Sequence, residues 1–273
     1  MPIPIIANPM SFRELSLEDG IRKVLSIGFD QIEVWRTAAA PCMTPGLRHQ
    51  LRDFVASLGS TIAGLNSCDM PYFQALSGSK DVEPALLGFK GDIDTATDLG
   101  AAYVCNFEGR RADGASPDEI NGPIFDATCS LFQQACEYGA DRGINLLVEV
   151  HPFTLGIDVD WLCRLFDAIG AENFGVIYDP CHFSVGSPDG YLDAISKLGP
   201  RIKCVHFSDS DTTSSELHFP PGKGCLDLKG IFDELKRIHF RGSWMVDHWL
   251  YPLPEEAARS GLAFLREALK SFP

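Results

Sequence analysis

The stretch FGVIYDPCHFS, residues 174–184, begins with a short apolar run and then carries Asp179 and His182 within four residues. A continuous apolar run of this length is typical of a strand that is buried on both faces, as in a parallel sheet. Aspartate and histidine are costly to bury without partners. Their position directly after the run therefore indicates that the end of this strand has a chemical purpose.

The same pattern recurs along the chain. In seven segments a glycine precedes a short apolar run, as in LGAAYVCNFEG at 99–109 and RGINLLVEVH at 142–151. Glycine supplies the left-handed turn that ends a helix, and the run that follows has the length of a strand. With IPIIANP near the start, these segments predict eight strands near residues 3–7, 31–35, 61–66, 102–107, 145–150, 174–179, 202–207 and 243–248.

Amphipathic stretches fit between the predicted strands. The stripe over residues 17–25 follows Ser16, with Asp19 three residues later, which is a capping-box-like start. Further stripes cover 162–169, with Asp158 or Asp160 near the start, as well as 228–238 and 254–271. These stretches predict helices that bury one face.

Eight strands that alternate with helices predict parallel strands and right-handed crossovers. Eight such units in 273 residues suit a closed (β/α)8 TIM barrel, an α/β fold, as a single domain over residues 1–273. A doubly wound open sheet is the alternative. It requires a glycine-rich phosphate turn after an early strand, and neither ANPMSF nor EVWRTA supplies one.

Composition narrows the function classes. The net charge is −14, with 23 basic and 37 acidic residues, which disfavours nucleic acid and favours a small-molecule substrate. The sequence has no apolar stretch of membrane-spanning length, and its N-terminus lacks the basic region of a secretory signal. Nine cysteines without framework spacing indicate reduced thiols and a cytoplasmic protein.

Polar residues at the ends of the last four predicted strands would meet at one mouth of the barrel. They are Glu149 and His151, Asp179 and His182, His206 and Asp209, and Asp247 and His248. Because Asp247 and His248 alternate along their strand, only one can point inward, and we expect Asp247 to do so. Several carboxylates beside imidazoles require a compensating cation. The mixed oxygen and nitrogen set suits one Mn²⁺, Mg²⁺, Co²⁺ or Zn²⁺.

The order and spacing of these motifs resemble the xylose isomerase-like barrel superfamily of sugar isomerases, epimerases and dehydratases. The matching segments begin at about residue 30 and include LLVEVHPF, GVIYDPCHFS, IKCVHFSD, the H-x-x-P-G-x-G loop HFPPGKG and SWMVDHW. The resemblance implies that the metal ligands are Glu149, Asp179, His206 and Asp247. It also implies that His182 hydrogen-bonds the substrate or helps to coordinate the metal, and that His218 reaches a substrate hydroxyl. Lys223 would contribute a positive group from the HFPPGKG loop.

The activity that the resemblance implies is metal-dependent isomerisation or epimerisation of a small sugar, polyol or hydroxy-keto acid through an enediolate. In the related ketose epimerases the ligand carboxylates on strands five and eight act as acid and base, which here are Glu149 and Asp247. Strand eight usually carries glutamate there. The shorter Asp247 therefore makes a dehydratase, lyase or isomerase with a different base more credible, and His151 or His248 could be that base.

The first half of the chain supplies further candidate substrate contacts. Glu33 and Asn66 end strands two and three, and Trp35, Phe107 and Trp249 could line the faces of a sugar. A DNA endonuclease and a non-catalytic sugar-binding protein are alternatives on the same barrel. The negative net charge disfavours the endonuclease, and the four ligand candidates disfavour the binding protein. By analogy with other barrels we also expect a homo-oligomer.

Overall fold

The computed structural model describes residues 3–37, 44–68, 82–110, 114–187 and 190–272. All eight predicted strands are present, and each bound lies within two residues of its prediction. The strands are β1 (Ile5–Ala7), β2 (Gln31–Trp35), β3 (Thr61–Asn66), β4 (Tyr103–Asn106), β5 (Asn145–Glu149), β6 (Phe174–Tyr178), β7 (Ile202–Phe207) and β8 (Ser243–Val246).

The strands form a closed parallel barrel in chain order, and β1 completes the circle by pairing with β8. The predicted (β/α)8 fold is therefore confirmed. The α-helices of five residues or more in the described part of the chain are α1 (Leu17–Ile27), α2 (Pro45–Ser57), α3 (Glu83–Leu99), α4 (Phe125–Ala140), α5 (Val159–Ile169), α6 (Pro180–Ser184), α7 (Gly190–Leu198), α8 (Leu228–Arg237) and α9 (Pro254–Ala268).

Local sequence signals set the helix ends as predicted. The Ser16 side chain caps α1 by accepting from the N–H of Asp19, and Asp158 caps α5. Such a cap contributes about 1 kcal/mol. Gly28 and Gly170 end these two helices with positive φ angles of 115° and 65°, which glycine adopts without a steric penalty.

The barrel strands bury both faces, which explains their unbroken apolar runs. Within β1, Ile6 belongs to a small cluster inside the barrel, whereas Ile5 and Ala7 pack into the larger core shared with the helices. Inside the barrel, Tyr103 occupies the space beside Gly64, where an added Cβ would lie 2.1 Å from the ring. Tyr103 therefore requires a glycine on the neighbouring strand.

No helix in the described part of the chain combines the length and apolar character needed to cross a bilayer. The parallel arrangement places the carboxyl ends of all eight strands at one mouth of the barrel, and the segments that follow these strands surround it. The residues expected to carry the chemistry lie on these strand ends.

Candidate active site

A cavity of about 230 Å³ opens at the carboxyl end of the barrel. Its lining includes Glu149 at the end of β5, His206 on β7 and Asp247 directly after β8. His151, His182 and His218 also line it. The structure thus brings together most of the polar residues expected at the strand ends.

The four predicted metal ligands form one cluster. Glu149, Asp179, His206 and Asp247 each offer a ligand atom, and these four atoms all lie within 4.8 Å of one another. The Nδ1 atom of His206 is 2.6 Å from Oε1 of Glu149 and 3.9 Å from Oδ2 of Asp247. The strand ends therefore converge on one point from β5, β6, β7 and β8.

Asp179 has two structural roles. Its Oδ1 accepts the backbone N–H of Cys181 at 2.8 Å and so caps the short helix α6. Its Oδ2 is directed to His218 Nε2 at 3.1 Å and to His182 Nε2 at 3.7 Å. Because the cap uses only one oxygen, the other remains available to the cluster.

The donor set fits a divalent cation. The three carboxylates of the cluster, whose ligand atoms lie within 4.8 Å of one another and are buried or nearly so, would repel one another without a positive charge between them. Oxygen ligands with one imidazole suit Mn²⁺, Mg²⁺, Co²⁺ or Zn²⁺. Burial would raise the pKa of Glu149, but His206 and His151 hold that pKa well below its usual range. The carboxylate is thus kept ionised, the form that binds metal.

Three histidines form one wall of the cavity. The rings of His151 and His182 are stacked with centroids 3.7 Å apart, and His218 meets His182 edge-on at 5.2 Å. Burial, followed by the two neighbouring imidazoles, holds the pKa of His182 well below its usual range. Burial lowers the pKa of His218, but Asp247 and Asp179 outweigh it and raise the pKa to about 10.

Aromatic side chains form the apolar part of the lining. The rings of Trp35 and Trp249 lie 4.6 Å apart at 43°, and Phe107 meets His151 edge-on at 4.7 Å. All three were expected at the cavity from the sequence. Phe153, which is 41% exposed at the rim, was not.

The two candidates from the first half of the chain lie at different depths. Asn66 lines the cavity and donates through Nδ2 to Oε1 of Glu33 at 3.1 Å. Glu33 is fully buried beneath it, and its Oε2 accepts from the hydroxyl of Tyr103 at 2.7 Å. Glu33 does not belong to the lining, so its direct contact is with Asn66 and the barrel interior.

The loop after β7 involves two candidate residues, Asp209 and Lys223, and neither lines the cavity. Asp209 accepts the backbone N–H groups of Gly222, Gly224 and Leu226 and so organises the loop instead of joining the metal cluster. Lys223 is exposed on this loop and lies outside the cavity lining. A substrate contact by Lys223 stays a prediction.

At the end of β8 the expected alternation is observed. Asp247 lines the cavity, while His248 is buried outside the lining and meets the ring of Phe12 at 5.7 Å. Burial is the main reason why the pKa of His248 is lowered to about 4. The surroundings of His248, a neutral ring packed against Phe12, therefore fit a structural role.

Two further residues of the site, Glu216 and Cys68, were not anticipated from the sequence. Glu216 lies on the loop after β7, and its Oε1 is 3.3 Å from Nδ1 of His151. Burial lowers the pKa of His151, but Glu149 and Glu216 outweigh it and raise that pKa to about 9. Cys68 follows β3, with its Sγ 3.6 Å from Oε2 of Glu149. Neither residue ends an apolar run, so the strand-end pattern cannot identify them.

Comparison with known proteins agrees with the barrel fold. A family model described as the xylose isomerase-like TIM barrel matches residues 21–268. Fructoselysine 3-epimerase of Shigella flexneri is 24% identical over 236 residues, with 82% of each chain covered. Inosose dehydratase of Geobacillus thermodenitrificans is 23% identical over 223 residues, covering 72% of this chain and 74% of the relative.

Among experimental structures, D-psicose 3-epimerase from Clostridium cellulolyticum H10, determined with D-tagatose, superimposes with a TM-score of 0.80. The alignment covers 98% of this chain and 99% of that chain at 15% sequence identity. At this identity the likeness establishes the shared fold.

Proposed function

The chain belongs to the xylose isomerase-like TIM-barrel family, and on that premise we propose that it is a divalent-metal-dependent epimerase or isomerase of a small sugar, polyol or hydroxy-keto acid. The observation that carries the proposal is the convergence of Glu149, Asp179, His206 and Asp247 within 4.8 Å at the mouth of the barrel. The 3-epimerases among the similar proteins support it.

The four converging residues would hold the cation. When bound, it would polarise a substrate carbonyl and stabilise the negative charge that develops when a neighbouring carbon loses its proton. The chain itself must then supply the groups that move protons and the surfaces that orient the substrate.

Proton transfer would be carried by Glu149 and Asp247. Both carboxylates approach Nδ1 of His206, at 2.6 and 3.9 Å, but they come from β5 and from the end of β8. A substrate between them would present opposite faces to the two groups. If one carboxylate removes a proton from a carbon and the other returns a proton to the opposite face, the configuration at that carbon is inverted.

Orientation would come from the histidine and aromatic walls. His182 and His218 offer ring nitrogens to substrate hydroxyls, and their rings are fixed by mutual contact and by Asp179. The pair Trp35 and Trp249 offers flat apolar surface to the C–H face of a sugar. The amide of Asn66 is held by Glu33, so its orientation is set before the substrate arrives.

A lyase or dehydratase is the second candidate, and a specific arrangement favours it. Nε2 of His151 lies 3.8 Å from Glu149, and Nε2 of His218 lies 3.8 Å from Asp247. The raised pKa values of both rings, about 9 and about 10, favour their protonated forms, so each carboxylate has a proton donor beside it. Such a donor could protonate a leaving hydroxyl after the carboxylate has taken the carbon-bound proton. The inosose dehydratase relative supports this candidate.

The two candidates are separated by following the reaction in deuterated water. The enzyme is incubated with Mn²⁺, Mg²⁺, Co²⁺ or Zn²⁺ and a panel of ketoses and inososes, and the products are analysed by mass spectrometry and NMR. Deuterium uptake without loss of water supports an epimerase or isomerase, and loss of water supports the dehydratase. Neither change with any substrate contradicts the proposal.

Matched variants test the assigned residues. Glu149→Gln should abolish deuterium exchange, because the amide cannot accept the proton. Glu172→Gln makes the same chemical change on the exposed surface, away from the cavity, and should retain exchange. Equal exchange in both variants would remove Glu149 from the mechanism.

A further inference from the structure

We propose that Cys68, Cys105 and Glu149 form a second cation site, distinct from the four-residue cluster, that takes a thiophilic divalent cation such as Zn²⁺ or Cd²⁺. Each of the three offers a ligand atom, and these atoms lie within 4.8 Å of one another. Two thiols with one carboxylate form a softer ligand set than three carboxylates with one imidazole. The two sites would therefore prefer different metals.

Strand pairing brings the three residues together. In the register of the barrel, Asn66 at the end of β3 lies opposite Cys105 on β4, and Cys105 lies opposite Leu147 on β5. Cys68 follows two residues after Asn66, and Glu149 two residues after Leu147. The three ligand candidates thus come from adjacent strands.

The distances match those of a tetrahedral zinc site. The two Sγ atoms are 3.5 Å apart, and they lie 3.6 and 4.0 Å from Oε2 of Glu149. Tetrahedral bonds of ordinary Zn–S and Zn–O length place two sulfurs about 3.8 Å apart and a sulfur about 3.6 Å from an oxygen. All three separations can therefore reach the bound geometry with shifts of a few tenths of an ångström.

Charge and access also favour a cation. The carboxylate of Glu149 faces both thiols, at 3.6 and 4.0 Å, and its negative charge attracts a cation. Cys105 is fully buried, but Cys68 lines the open cavity, so an ion and a solvent ligand can enter from that side. Coordination would release the thiol protons to solvent.

The two sites would share Glu149 through different oxygens, since Oε2 faces the thiols and Oε1 faces His206. A cation held by the thiols at Oε2 would lower the basicity of Glu149 and so inhibit the enzyme. This inhibition rests on the proposed function, whereas binding at the thiols does not.

The test is a titration of the full-length protein with Cd²⁺ in the presence of excess Mg²⁺, followed by the ultraviolet sulfur-to-cadmium charge-transfer absorbance. We expect the absorbance to saturate at about one equivalent per chain and to be lost in Cys68→Ser and Cys105→Ser. Cys225→Ser, which removes an exposed thiol, should retain it. Because Cys105 is buried, the half-buried Cys68 is the decisive variant if Cys105→Ser does not fold.

The outcome is independent of catalysis. Asp179→Asn alters the four-residue cluster but not the thiols, and it should keep the Cd²⁺ absorbance even if the enzyme is inactive. Absence of the band in the wild type, or its persistence in Cys68→Ser, overturns the second site. If the proposed activity is found with Mg²⁺, Cd²⁺ should inhibit the wild type more strongly than Cys68→Ser.

Discussion

The imidazole of His206 on β7 lies 2.6 Å from the carboxylate of Glu149 at the end of β5, across the mouth of the barrel. The two strands are not neighbours, since β6 lies between them. Both side chains must therefore point into the barrel to meet. This contact anchors the cluster that Asp179 and Asp247 complete.

Asp179 allows its capping role to be separated from metal binding. Asparagine caps helices about as well as aspartate, so Asp179→Asn should keep the bond to the N–H of Cys181, whereas Asp179→Ala should cost about 1 kcal/mol more in unfolding free energy. Both should weaken Mn²⁺ binding by more than about 100-fold, because even outer partners of ligands contribute roughly 10–100-fold. Calorimetric titration and urea unfolding measure the two effects. Unchanged Mn²⁺ affinity in both variants would exclude Asp179 as a ligand.

Mn²⁺ should stabilise the wild-type protein. A ligand that binds only the folded state at about 100 times its Kd adds about 2.7 kcal/mol to the unfolding free energy. The stabilisation should disappear with a chelator and in Asp179→Asn, because the cluster then lacks its cation or a ligand. Thermal unfolding with and without Mn²⁺ provides the measurement, and equal stabilisation of the variant would point to binding elsewhere.

Gly64 should tolerate no side chain. In Gly64→Ala the new Cβ would meet the Tyr103 ring at 2.1 Å and displace the hydroxyl from Glu33, so we expect a loss of about 1–3 kcal/mol or more. Gly91→Ala is the matched control, since nothing lies within 4 Å of that Cβ on α3. It should stabilise the protein by about 0.5–1 kcal/mol. Urea unfolding that ranks the two variants equally would contradict the barrel packing.

Glu108 should make stability depend on pH. Burial raises its pKa to about 7, against the opposing bonds from Thr154 and Gly156. Between about pH 4.5 and 7 the unfolded chain loses this proton while the folded chain keeps it. The unfolding free energy therefore falls as the pH rises, by about 1.4 kcal/mol per pH unit.

Glu108→Gln removes the charge and keeps an acceptor for the N–H of Gly156. The wild type should therefore lose stability relative to the variant as the pH rises from 4.5 to 7, so the unfolding free energy of the variant minus that of the wild type should increase. Denaturant unfolding at pH 5 and pH 8 measures this gain, with the surface substitution Glu172→Gln as control. A difference that does not change with pH would show that Glu108 is not the titrating group.

Glu216 should support the protonated form of His151. Its carboxylate is 3.3 Å from Nδ1 and helps Glu149 to raise the pKa of the ring against burial. Glu216→Gln should lower the pKa of His151, which an NMR titration of the histidine ring protons can follow. Glu172→Gln should leave the titration of His151 unchanged, and an unchanged pKa in both variants would contradict the coupling.

The sequence alone was sufficient to predict the barrel and its metal-ligand candidates. Apolar runs with preceding glycines specified eight buried strands, and parallel pairing requires that their carboxyl ends lie together. That periodicity also placed polar residues at the ends of the last four strands, and the family resemblance implied that Glu149, Asp179, His206 and Asp247 among them are the metal ligands. The alternation of side chains also predicted that Asp247, and not His248, would face the cavity.

Residues outside the strand pattern depended on the tertiary structure. Asp209 has the same sequence context as a ligand candidate, yet backbone N–H groups of its own loop surround its carboxylate. Glu33 and Asn66 both face the barrel interior near the ends of their strands. Only the packing of Glu33 against Tyr103 sets which of the two lies deeper. Period and spacing contain no information on depth.

Strand periodicity is a local property, so the sequence by itself determined the fold, the site's place in the barrel and the residue types gathered there. The positions of Glu216 and Cys68 were decided only by the tertiary structure. Glu216 reaches His151 from a loop, and Cys68 approaches Cys105 and Glu149 through the register of three strands. Such contacts join residues distant in sequence, and their geometry exists only after the barrel has closed and its loops have packed.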